Sequence, residues 1–319
     1  MITVLTGGTG GAKFIDGLRQ IVAPEELTII VNTGDDLLWW GLYVSPDLDS
    51  ILYMLAGRLS QERGWGVKGD TFYCLQAMGQ MGQPTWFHAG DRDIATHILR
   101  SKFLADGKTL SEVTTEIAER LGIKTLVLPM TNSRVETRVL TPVGELSFEE
   151  YFVQRWYQDP VESVRYAGAS DAEPAPGVLE AIRKSEAVIL APSNPVSSIA
   201  PILAVPGIRD ALLESRARIV AVSPIVAGAA VSGPAGILMQ AQGFPVSIAG
   251  VAEFYHDFLD VLVVDVKDSD AADELQKSRM RVHCTQTLMR TPENRLALAQ
   301  EVLALALRPP AAQTAMEHA

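Results

Sequence analysis

The stretch ITVLTGGTGGAK, residues 2–13, decides the fold class of this chain of 319 residues. Its apolar run, ITVL, is followed at once by a turn with four glycines. Short, nearly continuous apolar runs are typical of parallel strands that are covered on both faces. Glycines let backbone N–H groups approach an anion where the next helix begins, and that helix end carries partial positive charge. The stretch therefore predicts a strand, a phosphate-binding turn and a helix; the alternative is a tight turn without a ligand.

The same pattern recurs along the chain. Apolar runs precede polar turns in LTIIV before NTGDD, TLVLP before MTNS, AVIL before APSNP and RIVAV before SPIVAG. Helical patterns lie between or after these runs, for example over 110–121 and from Thr291 onward. Strands that alternate with helices predict an α/β, Rossmann-like three-layer fold with a mostly parallel sheet. In such sheets the ligand lies at the carboxyl ends of the strands, where these polar turns would meet.

Two stretches interrupt this alternation. Residues 46–122 have mostly helical patterns, and RVLTPVGELSF (138–148) predicts a β-hairpin. The predicted organisation is a Rossmann-like core over 1–45 and 179–309 with a strand near 125–128, a mainly helical and hairpin insertion over 46–178, and a loose tail over 310–319.

Composition excludes several classes of protein. The chain has 27 basic and 38 acidic residues, a net charge of −11, which argues against a broad basic face and against a nucleic-acid partner. Its two cysteines form no CxxC motif, so a disulfide-built secreted domain is not expected. The N-terminus lacks a signal pattern, and no apolar run reaches membrane-spanning length. We expect a cytoplasmic protein without a membrane partner.

Acidic residues crowd the segment after the second predicted strand. Four aspartates lie there within fifteen positions, next to Trp39, Trp40 and Tyr43: Asp35, Asp36, Asp47 and Asp49. Like charges that converge must be solvated, protonated or bound to a cation, and carboxylates are ligands that Mg²⁺ prefers. Asp35 follows a strand and Asp47 opens a helix, so both are candidate metal ligands. The alternative, which the sequence supports equally well, is that Asp47 caps that helix and Asp36 lies on a solvated turn.

Three further segments are candidates for ligand binding. Asp91 and Asp93 lie in GDRD, and His97 follows one helical turn beyond Asp93. Three roles are open for these aspartates: binding ligand hydroxyls, acting as a base, or capping the helix that starts near Ile94. APSNPVSSI (191–199) and SPIVAG (223–228) put hydroxyl and amide groups where strands end and helices begin, a good arrangement for phosphate or ribose oxygens. The absence of a GxSxG elbow or nearby histidine disfavours a serine hydrolase.

Together these residues resemble the 2-phospho-L-lactate transferase family, which acts in the biosynthesis of the deazaflavin coenzyme F420. The matching stretches run in family-like order from residue 7 to about 260: GGTGGAKF, VNTGDD, GLYVSPDLDSILYMLAG, GDTF, WFHAGDRDIATHILR, PSNPVSSIAPIL, AVSPIVAGAAVSGPA and GVAEFYHDFLD. The resemblance implies a homodimer that catalyses a metal-dependent phosphoryl-type transfer. The donor it implies is a guanosine diphosphate conjugate of a phospho-acid, and the acceptor is the ribityl hydroxyl of the deazaflavin Fo, with GMP released.

The resemblance also assigns roles to residues. It implies Mg²⁺ as the cofactor, held by Asp35 and Asp47, with Asp49 or Asp91 assisting the ribityl hydroxyl and an aromatic patch including Trp86 forming a wall for the deazaflavin. The residues expected to bind the substrates are Gly8, Thr9, Gly10, Gly11, Lys13, Asn32, Asp36, Trp86, Gly90, Asp93, His97, Pro192, Ser193, Asn194, Ser197, Ser198, Ser223 and Gly228.

Some positions depart from the family pattern. Thr131-Asn132-Ser133 stands where relatives often have Ser-Asp-Asp, and Glu149 stands where glutamine is usual. Both positions are expected to contact the acid end of the donor, so the donor stays open among conjugates of 2-phospholactate, phosphoenolpyruvate and 3-phosphoglycerate.

Two other classes of protein share parts of the pattern. Nucleotide-sugar-binding regulators share the glycine turn, but their Asp-Asp precedes Gly-Gly-Ser-Ser, whereas Leu37–Trp40 follows it here. An NAD-linked dehydrogenase ranks third, because Lys13 occupies the place of the third glycine in GxGxxG.

Overall fold

The computed structural model describes residues 1–277 and 280–307. The strands are β1 (Ile2–Thr6), β2 (Leu27–Val31), β3 (Leu37–Trp39), β4 (Leu42–Val44), β5 (Leu126–Pro129), β6 (Glu136–Thr141), β7 (Gly144–Ser147), β8 (Ser163–Ala167), β9 (Ala187–Leu190), β10 (Arg218–Val222), β11 (Ile225–Val226), β12 (Ala229–Ala230), β13 (Val261–Asp265) and β14 (Arg281–Thr285). The helices are α1 (Gly8–Leu18), α2 (Pro46–Leu55), α3 (Tyr73–Gln80), α4 (Asp91–Ala105), α5 (Leu110–Arg120), α6 (Val178–Lys184), α7 (Ala200–Ala204), α8 (Ile208–Leu213), α9 (Ala235–Ala241), α10 (Ile248–Phe254), α11 (Ser269–Lys277) and α12 (Pro292–Ala306). The predicted tail over 310–319 lies outside the described residues.

Within the described residues, the central sheet is parallel and has the strand order β14-β13-β10-β9-β1-β2-β5. Ile2 of β1 pairs with Leu27 of β2 on one side and with Ala187 of β9 on the other. The chain builds the sheet outward from β1 in one direction to β5, then returns to add β9 and its neighbours in the other. This reversal creates a crevice at the carboxyl ends of β1 and β9, the position where open α/β sheets bind ligands.

Side chains alternate across this sheet and bury two apolar layers. Leu5 and Ile30 belong to the layer that packs against helices α6 to α11. Val4 and Ile29 belong to the opposite layer, which packs against α1, α2, α5 and α12. Period-two alternation explains both layers, because successive side chains of a strand point to opposite faces. The predicted α/β, Rossmann-like three-layer fold is confirmed.

Between β2 and β9 the chain forms smaller units around the site. A β3–β4 hairpin leads into α2 to α5, β5 adds to the edge of the sheet beside β2, and β7-β6-β8 form a separate antiparallel sheet. The hairpin predicted around Pro142 is present as β6 and β7, with Thr141 opposite Gly144. In the part of the chain that is described, no helix combines the length and apolarity needed to cross a membrane.

Candidate active site

A cavity of about 1210 Å³ opens at the carboxyl ends of the central strands. Predicted site residues that line it are Gly8, Thr9, Gly10, Lys13, Asp35, Asp47, Asp49, Trp86, Asp93, His97, Pro192, Ser193, Asn194, Ser197, Ser198 and Ser223. Six others lie outside its lining: Gly11, Asn32, Asp36, Gly90, Asp91 and Gly228. The volume exceeds that of a typical small-molecule pocket, about 300 to 1,000 Å³, and suits a site that holds two substrates together.

Asn32 brings the two predicted metal ligands together. It follows β2, and its Nδ2 donates to Asp35 Oδ2 at 3.1 Å and to Asp47 Oδ2 at 3.0 Å. Its Oδ1 accepts the N–H of Gly34, which fixes the amide in this orientation. Asp35 and Asp47, twelve positions apart in the sequence, are therefore neighbours at the crevice, and both side chains are buried.

Asp47 also touches the glycine turn. Its Oδ1 accepts the Gly8 N–H at 2.6 Å, where α1 begins. Gly7 permits this approach, because a Cβ there would meet the Asp47 carboxylate and the side chain of Ser198. Asp47 therefore does not cap its own helix, one of the two alternatives that the sequence left open; it accepts from the start of a different helix.

Burial and mutual repulsion shape the acidity of this cluster. Burial, and then the charges of Asp47 and Glu149, raise the pKa of Asp35 well above its ordinary value. Burial raises the pKa of Asp47 to about 6, although hydrogen bonds from Asn32 and Gly8 lower it. Burial also raises the pKa of Asp36 to about 8 and, with the charges of Asp47 and Asp36, that of Glu149 to about 8. Ionising this cluster is costly unless a cation is present.

The donor set fits a hard divalent cation. Among the described residues, the buried Asp35 Oδ1 makes no hydrogen bond of normal geometry, although the nearby Thr137 side chain lowers the pKa of Asp35. Asp35 also belongs to a cluster whose carboxyls repel one another. Mg²⁺ takes oxygen ligands and is commonly held by one or two protein carboxylates, with substrate phosphates and water completing its shell. Asp35 and Asp47 are the residues that would hold it.

Asp49 is engaged elsewhere. Arg100 of α4 is buried and donates to both carboxylate oxygens of Asp49, with Nη1 at 3.0 Å from Oδ2. His97 lies between two carboxylates, 3.4 Å from Asp49 and 3.5 Å from Asp93, and Tyr53 donates to Asp93 at 2.8 Å. These ligand-type atoms of Asp49, Asp93 and His97 lie within 4.8 Å of one another, a spacing that metal ligands share. Because Arg100 already neutralises Asp49, we interpret the group as a buried ion-pair network.

Asp91 lies at a junction between two helices. It accepts from the Thr71 hydroxyl at 2.6 Å and from the Cys74 N–H at 2.9 Å, and so caps α3. These hydrogen bonds lower the pKa of Asp91. Asp70 makes the reciprocal contact, accepting from Arg92 and Asp93 at the start of α4. Of the roles that the sequence left open for Asp91, these hydrogen bonds match helix capping. The capped helix is α3, however, and not the helix near Ile94, which is α4.

The serine and proline turns hold the glycine turn in place. Ser193 donates to the Gly7 carbonyl at 2.6 Å, and Asn194 caps the following π-helical turn by accepting from the Val196 N–H. Ser223 bonds within its own turn, to the main chain of Ile225. Gly11 packs against Thr6 and Ser193, with no room for a Cβ.

One tryptophan of the aromatic patch lines the cavity, and the others pack behind it. Trp86 lines the cavity, whereas Trp39 is buried behind it, with ring centroids 4.8 Å apart in an edge-to-face arrangement. Trp40 packs on Trp39 and donates its indole N–H to the Pro84 carbonyl. Neither Trp39 nor Trp40 lines the cavity.

Several residues of the cavity were not in the predicted site. They include Glu149, Arg63, Trp65, Lys267 and Arg290. Glu149 stands out in the sequence only as a departure from the family pattern, and Lys267 and Arg290 lie in segments without a recognisable motif. Arg63 and Trp65 do sit in a glycine-rich run before GDTF, which is the signal that would have pointed to them.

Comparisons with known proteins identify the family to which this sequence is similar. The family model described as 2-phospho-L-lactate transferase CofD matches residues 2–300. The 2-phospho-L-lactate transferase of Methanosarcina mazei is 42% identical over 302 residues, which covers 94% of this chain and 98% of that protein. The phosphoenolpyruvate transferase of Streptomyces coelicolor is also 42% identical, over 311 residues, covering 96% and 98%.

A solved structure shares the fold. A protein of the UPF0052 family from Bacillus halodurans superposes with a TM-score of 0.64 at 17% sequence identity, covering 95% of this chain and 98% of that one. At this level of identity the likeness concerns the arrangement of strands and helices alone.

Proposed function

Because this chain belongs to the 2-phospho-L-lactate transferase family, we propose that it transfers a phospho-acid group from a guanosine diphosphate conjugate to the ribityl hydroxyl of the deazaflavin Fo. GMP is the leaving group, and the product is the phosphodiester that precedes the addition of glutamate in the coenzyme. The acid-bearing phosphorus forms its new bond to the ribityl oxygen as its bond to the GMP oxygen breaks. The ribityl proton passes to solvent or to a carboxylate of the site.

One observation carries the proposal beyond the family match. Two carboxylates, Asp35 and Asp47, share the amide of Asn32 beside the glycine turn, at the crevice where the sheet reverses its order. These carboxylates would hold a divalent cation, which would supply positive charge to neutralise the phosphates during in-line displacement. Few other groups are then required from the protein, since phosphoryl transfer depends mainly on positioning and electrostatics.

The protein's own groups supply that positioning. The first residues of α1 line the cavity, so the helix offers its N-terminal end, with its partial positive charge, to a phosphate. Ser193 and Asn194 hold the turn and its neighbour rigid through the hydrogen bonds described above. Trp86, supported by Trp39, offers an apolar face against which a planar deazaflavin would stack. The acceptor hydroxyl is then aligned by the fit of its ribityl chain.

The identity of the donor acid is the open part of the proposal. A relative named as a 2-phospho-L-lactate transferase and one named as a phosphoenolpyruvate transferase are equally similar to this chain, at 42% identity each. Overall identity therefore favours neither acid, and each conjugate requires its own assay.

The test is a reaction of purified protein with Fo, Mg²⁺ and each of the guanosine diphosphate conjugates of 2-phospholactate, phosphoenolpyruvate and 3-phosphoglycerate. GMP release would be followed by chromatography and the product identified by mass. We expect GMP and a phosphodiester of Fo in equal amounts from one donor. Folded protein that releases no GMP with any donor, yet binds a nucleotide-sugar, would overturn the proposal in favour of a regulatory role.

A further inference from the structure

We propose that Arg63 binds the diphosphate of the nucleotide substrate, through paired hydrogen bonds from its guanidinium to phosphoryl oxygens. This inference rests on the proposed function, since it assumes that a nucleoside diphosphate enters the cavity. Arg63 lines that cavity together with its neighbours Trp65 and Gly66. Three features support this role: the closed shape of the loop over 59–67, the aromatic rings that hold the Arg63 side chain, and the groups that lie beside the loop.

The loop that carries Arg63 is closed on itself. Leu59 and Val67 pair across its base, and the Ser60 N–H donates to the Gly66 carbonyl at 3.0 Å. Gly64 and Gly66 have positive φ values of 77° and 67°, which tighten the turn between these contacts. The 59–67 loop therefore keeps a defined shape.

A second contact fixes the loop to the core. Gln61 accepts a hydrogen bond of 3.0 Å from Arg295 of α12, which also pairs with Asp16 of α1. Helices α1 and α12 pack against one another, with Gly17 close to the Arg295 carbonyl. Through Arg295 the loop is thus linked to α1, the helix whose first turn forms the glycine turn.

The guanidinium of Arg63 is held by aromatic faces. Its Cζ lies 4.7 Å from the ring centroid of Phe72 and 5.5 Å from that of Trp65. Stacking on aromatic rings positions an arginine and leaves its N–H groups at the edges free to donate. Among the described residues, no carboxylate pairs with Arg63, in contrast to Arg100 and Arg295. A half-buried arginine, preorganised and without an acidic partner, is suited to an anion.

The anion is identified by what lies beside the loop. Gly64 approaches Thr9 of the glycine turn: a Cβ built on Gly64 would lie 4.0 Å from the Thr9 Cγ2. The cluster of Asp35, Asp47 and Glu149 borders the same cavity and would repel a diphosphate. A diphosphate in this cavity therefore needs a positively charged partner, and the planar fork of arginine matches two phosphoryl oxygens better than a lysine does.

The test compares binding of GDP by the full-length protein and its variants, with Mg²⁺ present, by isothermal titration calorimetry. We expect Arg63→Gln to raise the Kd for GDP about 10- to 100-fold, the range for losing hydrogen bonds to a charged group. Arg63→Lys retains the charge but loses the fork, so its Kd should lie between those of the wild type and Arg63→Gln. Guanosine, which lacks phosphate, should bind the wild type and both Arg63 variants with equal affinity.

Arg209→Gln is the matched control, because Arg209 also stacks on an aromatic ring, 5.3 Å from the Phe258 centroid, but does not line the cavity. Its affinity for GDP should equal that of the wild type. If Arg63→Gln bound GDP with an unchanged Kd and kept the wild-type melting temperature, the role of Arg63 would be overturned, while the proposed donor would stand. Wild-type protein that binds no GDP would overturn both this inference and the proposed donor.

Discussion

The main-chain N–H of Gly8 donates a hydrogen bond of 2.6 Å to the carboxylate of Asp47. The contact joins the first residue of α1 to the start of α2 across 39 positions of sequence. It places a negative group at the helix end where a phosphate would be favoured. A nucleotide phosphate bound at this helix end would lie close to Asp47, and a cation held by Asp47 would relieve the repulsion between the two.

Replacing Asp47 by Asn tests this arrangement. The fold should persist, since an amide oxygen still accepts from Gly8 and only the hydrogen bond from Asn32 is lost. Turnover should fall by about 100-fold or more because a charged ligand is lost. GMP release at saturating Mg²⁺ measures the effect. Asp106→Asn, at an exposed position after α4, should leave turnover unchanged. Wild-type turnover in folded Asp47→Asn protein would return Asp47 to a purely structural role.

The pairing of Arg100 with Asp49 predicts a large change in stability. Arg100→Met removes the guanidinium from the buried Asp49 carboxylate, and breaking a buried ion pair in this way typically costs about 3 to 5 kcal/mol in the free energy of unfolding. Asp49→Asn combined with Arg100→Met should recover much of that loss, because no buried charge remains unpaired. Urea unfolding of the single and double variants measures both effects. Additive losses would contradict the ion-pair interpretation.

Asp91→Asn separates helix capping from catalysis. The variant keeps an acceptor for Thr71 but weakens the hydrogen bonds from the main chain, so we expect a stability loss of about 0.5 to 1 kcal/mol. The rate of GMP release at saturating substrate should stay within about two-fold of the wild type, since a capping residue makes no contact with the transition state. If that rate instead fell about 100-fold or more while the melting temperature stayed unchanged, Asp91 would belong to the chemistry.

The raised pKa of Glu149 predicts a dependence of stability on pH. A carboxyl whose pKa rises from 4.5 to about 8 on folding favours the folded state at low pH, and this contribution is lost as pH rises toward 8. Glu149→Gln removes the titration. In metal-free buffer it should change the melting temperature little at pH 5 and raise it by about 2 to 6 °C at about pH 8.5.

A matched control for this titration is Glu145→Gln, since Glu145 is paired with Arg165 near the surface and its pKa is lowered. This variant should not become more stable as pH rises. Equal gains for Glu149→Gln at the low and the high pH would show that packing, and not ionisation, explains the effect.

Glycine positions and short apolar runs, which are patterns among adjacent residues, predicted the turns that follow the central strands. The glycine turn and the turns after β2 and β9 lie at one edge of the sheet, because apolar runs define parallel strands and the carboxyl ends of such strands meet there. Contacts between distant helices were not predictable in this way. The partner of Asp49 is Arg100, 51 positions away, and nothing near either residue indicates the pairing.

The sequence by itself determined the order of strands and helices, the α/β class and the family, since these follow from periodicity, glycine positions and extended similarity. Only the tertiary structure decided which acidic groups face the cavity together and which are neutralised. Asp47 and Asp49 are two positions apart on α2, yet one meets Asn32 and the other meets Arg100. Residues two apart point in different directions on a helix, so packing against different elements gives them different environments.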